Sequence, residues 1–192
     1  MLKDYKTLIS KFTLVTLGIM ILSFGIALFM KPDIMGIINW ADKKISGTSK
    51  TQIEKFLQYV INNGIKVPFQ MFFLSLIPIP FAYYLPVALT AAATGVIFYL
   101  PFTPQLQDKM SFLKIFLGVI PHSIIEFFGF IVISAVLYQL NQAIRSRLFK
   151  KVYSEIGVIY GFKKVATTYC FVAFPLLVIA AFIEAFITPM IG

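Results

Sequence analysis

Hydrophobic positions in this chain gather into long runs, not the short periodic stretches of a soluble domain. The first, 12–30, carries no charge and is long enough at about 1.5 Å per residue to cross a bilayer core. Lys3, Lys6 and Lys11 precede it, and Lys31-Pro32-Asp33 follow without a small-residue cleavage pattern. It is therefore expected to be a retained first span, not a signal peptide. Gly18, Ser23, Gly25 and Ala27 give it small surfaces that another helix could approach closely. The polar stretch 31–66 comes next. In its second half, Thr51-x-x-Glu54 has the form of a capping box, and Ile53, Phe56, Leu57, Val60 and Ile61 recur at helical spacing. This predicts an amphipathic helix over about 51–63, expected on the membrane surface, with packing against the bundle as the alternative.

The nearly uncharged run 67–102 contains Pro68, Pro78, Pro80, Pro86 and Pro101. At about 54 Å of helix it is too long for one span and barely enough for two. A residue before proline disfavours helix, and paired tyrosines suit an interface. Tyr83-Tyr84-Leu85-Pro86 therefore divides the run into spans 67–85 and 86–102; a broken helix lining a cavity is the alternative. Run 112–140 is again too long for an untilted span, and Pro121 divides it into a short apolar arm and a span over 121–140. The final span is expected over 166–188, stopping at Thr188-Pro189. The pattern predicts an all-α polytopic membrane helix bundle of about five spans with proline-broken helices, in one domain over 1–192.

Composition sharpens this. With 59% apolar and 13% charged residues and 21 Phe, the 192-residue chain lies far from the roughly 25% charge of ordinary globular proteins. The net charge of +9 sits between apolar runs and not on one face, so lipid contact and orientation are expected, not nucleic-acid binding. Five spans put nine of the 17 Lys and Arg on the side of the N-terminus and eight on the other. The dense basic loop 141–165, with Arg145, Arg147, Lys150 and Lys151, outweighs the dispersed charges, giving an N-terminus inside a bacterial cytoplasmic membrane. Cys170 is the sole cysteine, so no disulfide framework exists.

Three polar clusters interrupt the apolar sequence: Asn62-Asn63 with Lys66, His122 with Glu126, and Glu184. Ionisable groups are costly in hydrocarbon, so each marks a candidate site. The starts of the second and fourth spans and the end of the fifth face one side, which puts all three clusters in a common depth zone. His122 and Glu126 share a helix face, and a helix beginning at Pro121 would set Glu126 near its N-terminal turn. Lys66, His122 or the Asn62-Asn63 amides are the available partners for Glu184. An interhelical clasp is the favoured reading, since buried polar groups must be satisfied; a proton or ion relay through the two carboxylates is the alternative. One His and two carboxylates are a thin zinc set, so no metal is expected. Neither a nucleophile–base pair nor a phosphate loop is present. No catalytic residue, cofactor or enzymatic activity is expected.

The order NNGIKV before a span, PHSIIEF opening a later one and AAFIEAFITP in the last resembles the stage II sporulation protein M family of integral membrane proteins, over roughly residues 56–189. In the family's middle motif a Gly usually follows the His, with a Glu four residues after the His. Here His122 and Glu126 match and Ser123 replaces the Gly. The family's central Asn-Gly pair is replaced by Ala93-Thr94-Gly95. The resemblance implies a non-enzymatic multi-span protein working in a membrane complex. One branch of the family anchors wall-degrading enzymes during sporulation. Another is encoded with circular bacteriocins and assists export or producer immunity beside an ABC transporter. The expected role is thus an accessory, immunity or export component of the bacteriocin branch. Its partners would be membrane lipid, other membrane proteins, an ABC transporter ATPase docked on Arg145, Arg147, Lys150 and Lys151, or the bacteriocin peptide. A sporulation scaffold and an ion- or proton-coupled subunit are the alternatives, and a homo-oligomer is left open.

Overall fold

A computed structural model describes residues 5–32, 51–103, 112–149 and 152–191. They form an all-α bundle, and no strand occurs among the described residues. Helix α1 is Lys6–Met30, α2 covers 52–76, α3 is Ala82–Phe102, α4 is Phe112–Leu148 and α5 is Val158–Met190. Four of the five, all but α2, are long and apolar enough to cross a membrane; α2 is polar in its first half. Large side chains such as Ile21 and Phe29 project from α1 at 70% and 90% exposure, as an outward face bathed in lipid requires.

Local chemistry sets the helix ends. Lys31 closes α1 in the left-handed conformation at φ 45°, its amide donating to the Ala27 carbonyl at 3.0 Å, and Pro32 bars continuation. At the start of α2 the capping box forms as its pattern predicts: the Glu54 amide donates to Thr51 Oγ1 at 3.2 Å and the Thr51 amide to Glu54 Oε2 at 2.8 Å. The surface helix expected over 51–63 is instead the first part of a continuous rod. That rod packs lengthwise and antiparallel on α5, with Phe56 against Phe182 and Phe186 at 6.3 and 6.0 Å and Phe72 against Phe162 at 5.9 Å.

Proline was expected to end or divide helices, and here the structure differs. Helical backbone runs through Pro68, Pro121, Pro175 and Pro189. A proline inside a helix lacks the amide that would bond four residues back, and its ring presses on that carbonyl. Three of the four sites meet this with a π-helical turn ending two residues before the proline: Val60–Lys66 before Pro68, Tyr169–Ala173 before Pro175, and Ile183–Ile187 before Pro189. In each, the amide preceding the proline bonds five residues back: Val67 to Asn62, Phe174 to Tyr169, and Thr188 to Ile183. The carbonyl orphaned by Pro68 belongs to Gly64, and the Tyr169 hydroxyl of α5 donates to it at 2.6 Å. Pro121 lies inside an uninterrupted α-helix, so α4 begins at or before Phe112 and not at 121.

The break between α2 and α3 also moves. Expected at Tyr83–Pro86, it falls after Leu76, where Ile77 turns extended ahead of Pro78 and Pro80. The buried Asn141 of α4 fixes this point, its amide donating to the Ser75 and Ile77 carbonyls at 3.0 and 2.8 Å. Tyr83 and Tyr84 are buried instead of interfacial. Tyr84 stacks on Phe12 at 5.0 Å and shares a 2.5 Å hydrogen bond with Thr16 of α1. Helix α3 then runs parallel to α1, so close that a Cβ on Gly95 would collide with the Met20 carbonyl and Ser23 Oγ. Helix α4 is the central strut, buried from Phe130 through Leu137, with α1, α2 and α5 around it. It extends to Leu148 while α5 begins at Val158, so most of the expected 141–165 loop is helical.

Candidate functional site: a polar cavity at one end of the bundle

Five of the six polar residues singled out in the sequence line one cavity of about 910 Å³: Asn62, Asn63, His122, Glu126 and Glu184. It lies between α2, α3, the first half of α4 and the end of α5. Lys55, Tyr59, Asn63 and Val67 of α2 reach it at steps of four, a spacing that suits the wide turns of the π segment. Lys66 falls one residue off that row. It is exposed and lines a neighbouring groove with Glu54 and Asn62, so it is not the partner of Glu184 that its sequence position suggested. Lys55 is the α2 lysine that borders the cavity.

From α4, His122, Ser123 and Glu126 are buried at 9%, 6% and 8% exposure. His122 Nδ1 lies 3.4 Å from Thr188 Oγ1, which itself donates to the Gly118 carbonyl of α4 at 3.0 Å. Thr188 thus ties the end of α5 to α4 beside Pro121, which lacks a backbone amide of its own. Since α4 begins at or before Phe112, Glu126 sits more than three turns inside the helix, where no free backbone amides favour a carboxylate. Glu184 occupies the Ile183–Ile187 π turn, half-buried. It is within electrostatic range of both Glu126 and the Tyr59 hydroxyl. Among the described residues neither carboxylate has a hydrogen-bond or ion-pair partner, while Asn62 Nδ2 donates to Asn63 Oδ1 at 2.7 Å. The clusters therefore surround a shared space, and among the described residues only His122 is joined across helices. Also among the described residues, no group of three or more His, Cys, Asp or Glu is placed to hold a metal.

Several lining groups escaped sequence reasoning. Thr188 read as the stop of the last span, and Tyr59, Thr90 and Thr94 were not singled out. Their helical register with Glu184, Asn63 and each other was the available signal, and the π turns obscured it. Of the basic docking residues, Arg145 is half-buried and Arg147 exposed on the last turn of α4; Lys150 and Lys151 lie outside the described residues.

A bundle of apolar helices around a polar cavity defines an integral membrane protein. More specifically, the chain belongs to the stage II sporulation protein M family, whose model matches residues 10–189. No curated protein and no solved structure matches it.

Proposed function

We propose that this protein is a non-enzymatic membrane component of a larger complex, and that its polar cavity receives a cationic group of its ligand. The carrying observation is that Glu126 and Glu184, on different helices, face one cavity without partners among the described residues. A buried carboxylate without a partner is costly, and a bound cation removes that cost. The favoured ligand is a cationic, membrane-active peptide of the circular-bacteriocin kind. The chain then acts in its export or in producer immunity, beside an ABC transporter ATPase. With the N-terminus inside the bacterial cytoplasmic membrane, the cavity lies toward the outer surface. Arg145 and Arg147 lie about 29 and about 32 Å further along α4 from Glu126, at the inner end where an ATPase would dock.

A second reading rests on the same unpartnered carboxylates: an ion- or proton-coupled subunit in which Glu126 and Glu184 exchange the ion. One set of variants separates the two. In lipid nanodiscs, Glu126→Gln with Glu184→Gln should weaken binding of the cationic peptide on the order of tenfold or more, with thermal stability retained. Unchanged affinity removes the peptide reading, and loss of cation or proton flux in proteoliposomes with affinity intact supports the coupled subunit. Arg145→Glu with Arg147→Glu should abolish co-purification with the ATPase. A scaffold of a sporulation complex predicts no effect in either assay.

A further inference from the structure

A second cavity, of about 480 Å³, lies nearer the inner end and shares no lining residue with the first. Pro68, Phe69 and Phe72 of α2 form one wall, Ile133 of α4 the floor, and α5 from Phe162 to Cys170 the other wall. Its lining is apolar except for Lys163. Ile133 is 2% exposed, whereas Phe69, Phe162 and Cys170 are exposed, so the slot opens on the outer face of the bundle.

The dimensions select the occupant. Lys163 and Cys170 are seven residues apart, which makes the slot about 10 Å long. A partner helix, itself about 10 Å across, would meet the protruding Phe69 and Phe162 rings before reaching Ile133. A single hydrocarbon chain reaches the floor. Lys163 stands in the first two turns of α5, at the end of the bundle that also carries Arg145, Arg147 and Lys164. There a lysine can keep its ammonium at headgroup level while its stem lies along apolar surface. Tyr169, at the far end, has its hydroxyl engaged by Gly64 and offers the slot its ring.

We propose that this slot holds one acyl chain of an anionic phospholipid whose phosphate pairs with Lys163. The lipid joins α2 to α5 just beyond the Gly64–Tyr169 hydrogen bond and fills space that their side chains leave open.

The full-length protein in phosphatidylcholine nanodiscs, doped with phosphatidylglycerol carrying a diazirine in its acyl chain, tests this. After photolysis, crosslinks mapped by mass spectrometry should concentrate on Phe69, Phe162 and Cys170. Unlabelled phosphatidylglycerol should compete about fivefold better than phosphatidylcholine, the advantage expected of one lysine–phosphate contact. Lys163→Gln should remove that preference while leaving the fold intact, and Ala166→Trp should fill the slot and abolish the crosslinks. Labelling spread evenly over outward residues such as Ile21 and Phe29, or a preference unchanged in Lys163→Gln, overturns the proposal. So does a slot found closed by a second copy of the chain.

Discussion

Asn141 shows how much one side chain can decide in an apolar bundle. It is buried, and its amide donates to the carbonyls of Ser75 and Ile77, where α2 gives up its helical hydrogen bonds ahead of Pro78. In hydrocarbon no water can take over those acceptors. Asn141→Ala should therefore cost about 1–3 kcal/mol, read as a lowered melting temperature in detergent. Asn141→Asp, which keeps the volume but has no amide donor, should not restore it. A melting temperature unchanged by Asn141→Ala would mean that the chain break is set by Pro78 and Pro80 alone. None of this was legible in advance, because the sequence marks a polar residue near the end of α4 without marking the carbonyls it meets 64 and 66 residues away.

At the scale of the element, proline and the π turn belong together. Reading Pro121 and Pro189 as helix boundaries follows from the missing amide, and it holds when the freed carbonyl is left without a donor. Here Pro68, Pro175 and Pro189 are each absorbed by a π turn, and the Gly64 carbonyl gains a donor from Tyr169. The apolar runs and the capping box were legible because each rests on local chemistry. The continuity of α2 from 52 to 76 was not, because it depends on a neighbouring helix. A double-mutant cycle measures that dependence. Tyr169→Phe should destabilise the protein by about 1–2 kcal/mol, because it leaves the Gly64 carbonyl unpaired. In a Pro68→Ala background the same change should cost clearly less, since residue 68 then supplies an amide to Gly64. Equal costs in both backgrounds would remove the link between the proline and the tyrosine.

For the molecule as a whole, chain direction carried more of the candidate site than any motif. Helices α2 and α4 start, and α5 ends, at the same end of the bundle, and that is enough to bring Asn63, Glu126 and Glu184 to one cavity although they are far apart in sequence. The directions were readable from the alternation of apolar runs and polar connections, even where span boundaries were not. Whether the groups touch or stand around a space depends on helix rotation, which the π turns shift by amounts that no periodicity reveals. Lys66 missed the cavity for that reason, and Thr188 entered it. The arrangement fixes sidedness without reference to orientation. In a Cys170→Ser background, Asn63→Cys and Met190→Cys should react with a membrane-impermeant maleimide from the same side, and Glu155→Cys, between α4 and α5, from the other. With the N-terminus inside, the first two label from outside intact cells. Labelling of positions 63 and 190 from opposite sides would place the two carboxylates and the asparagines in different halves of the bilayer. One cavity could not then serve them all.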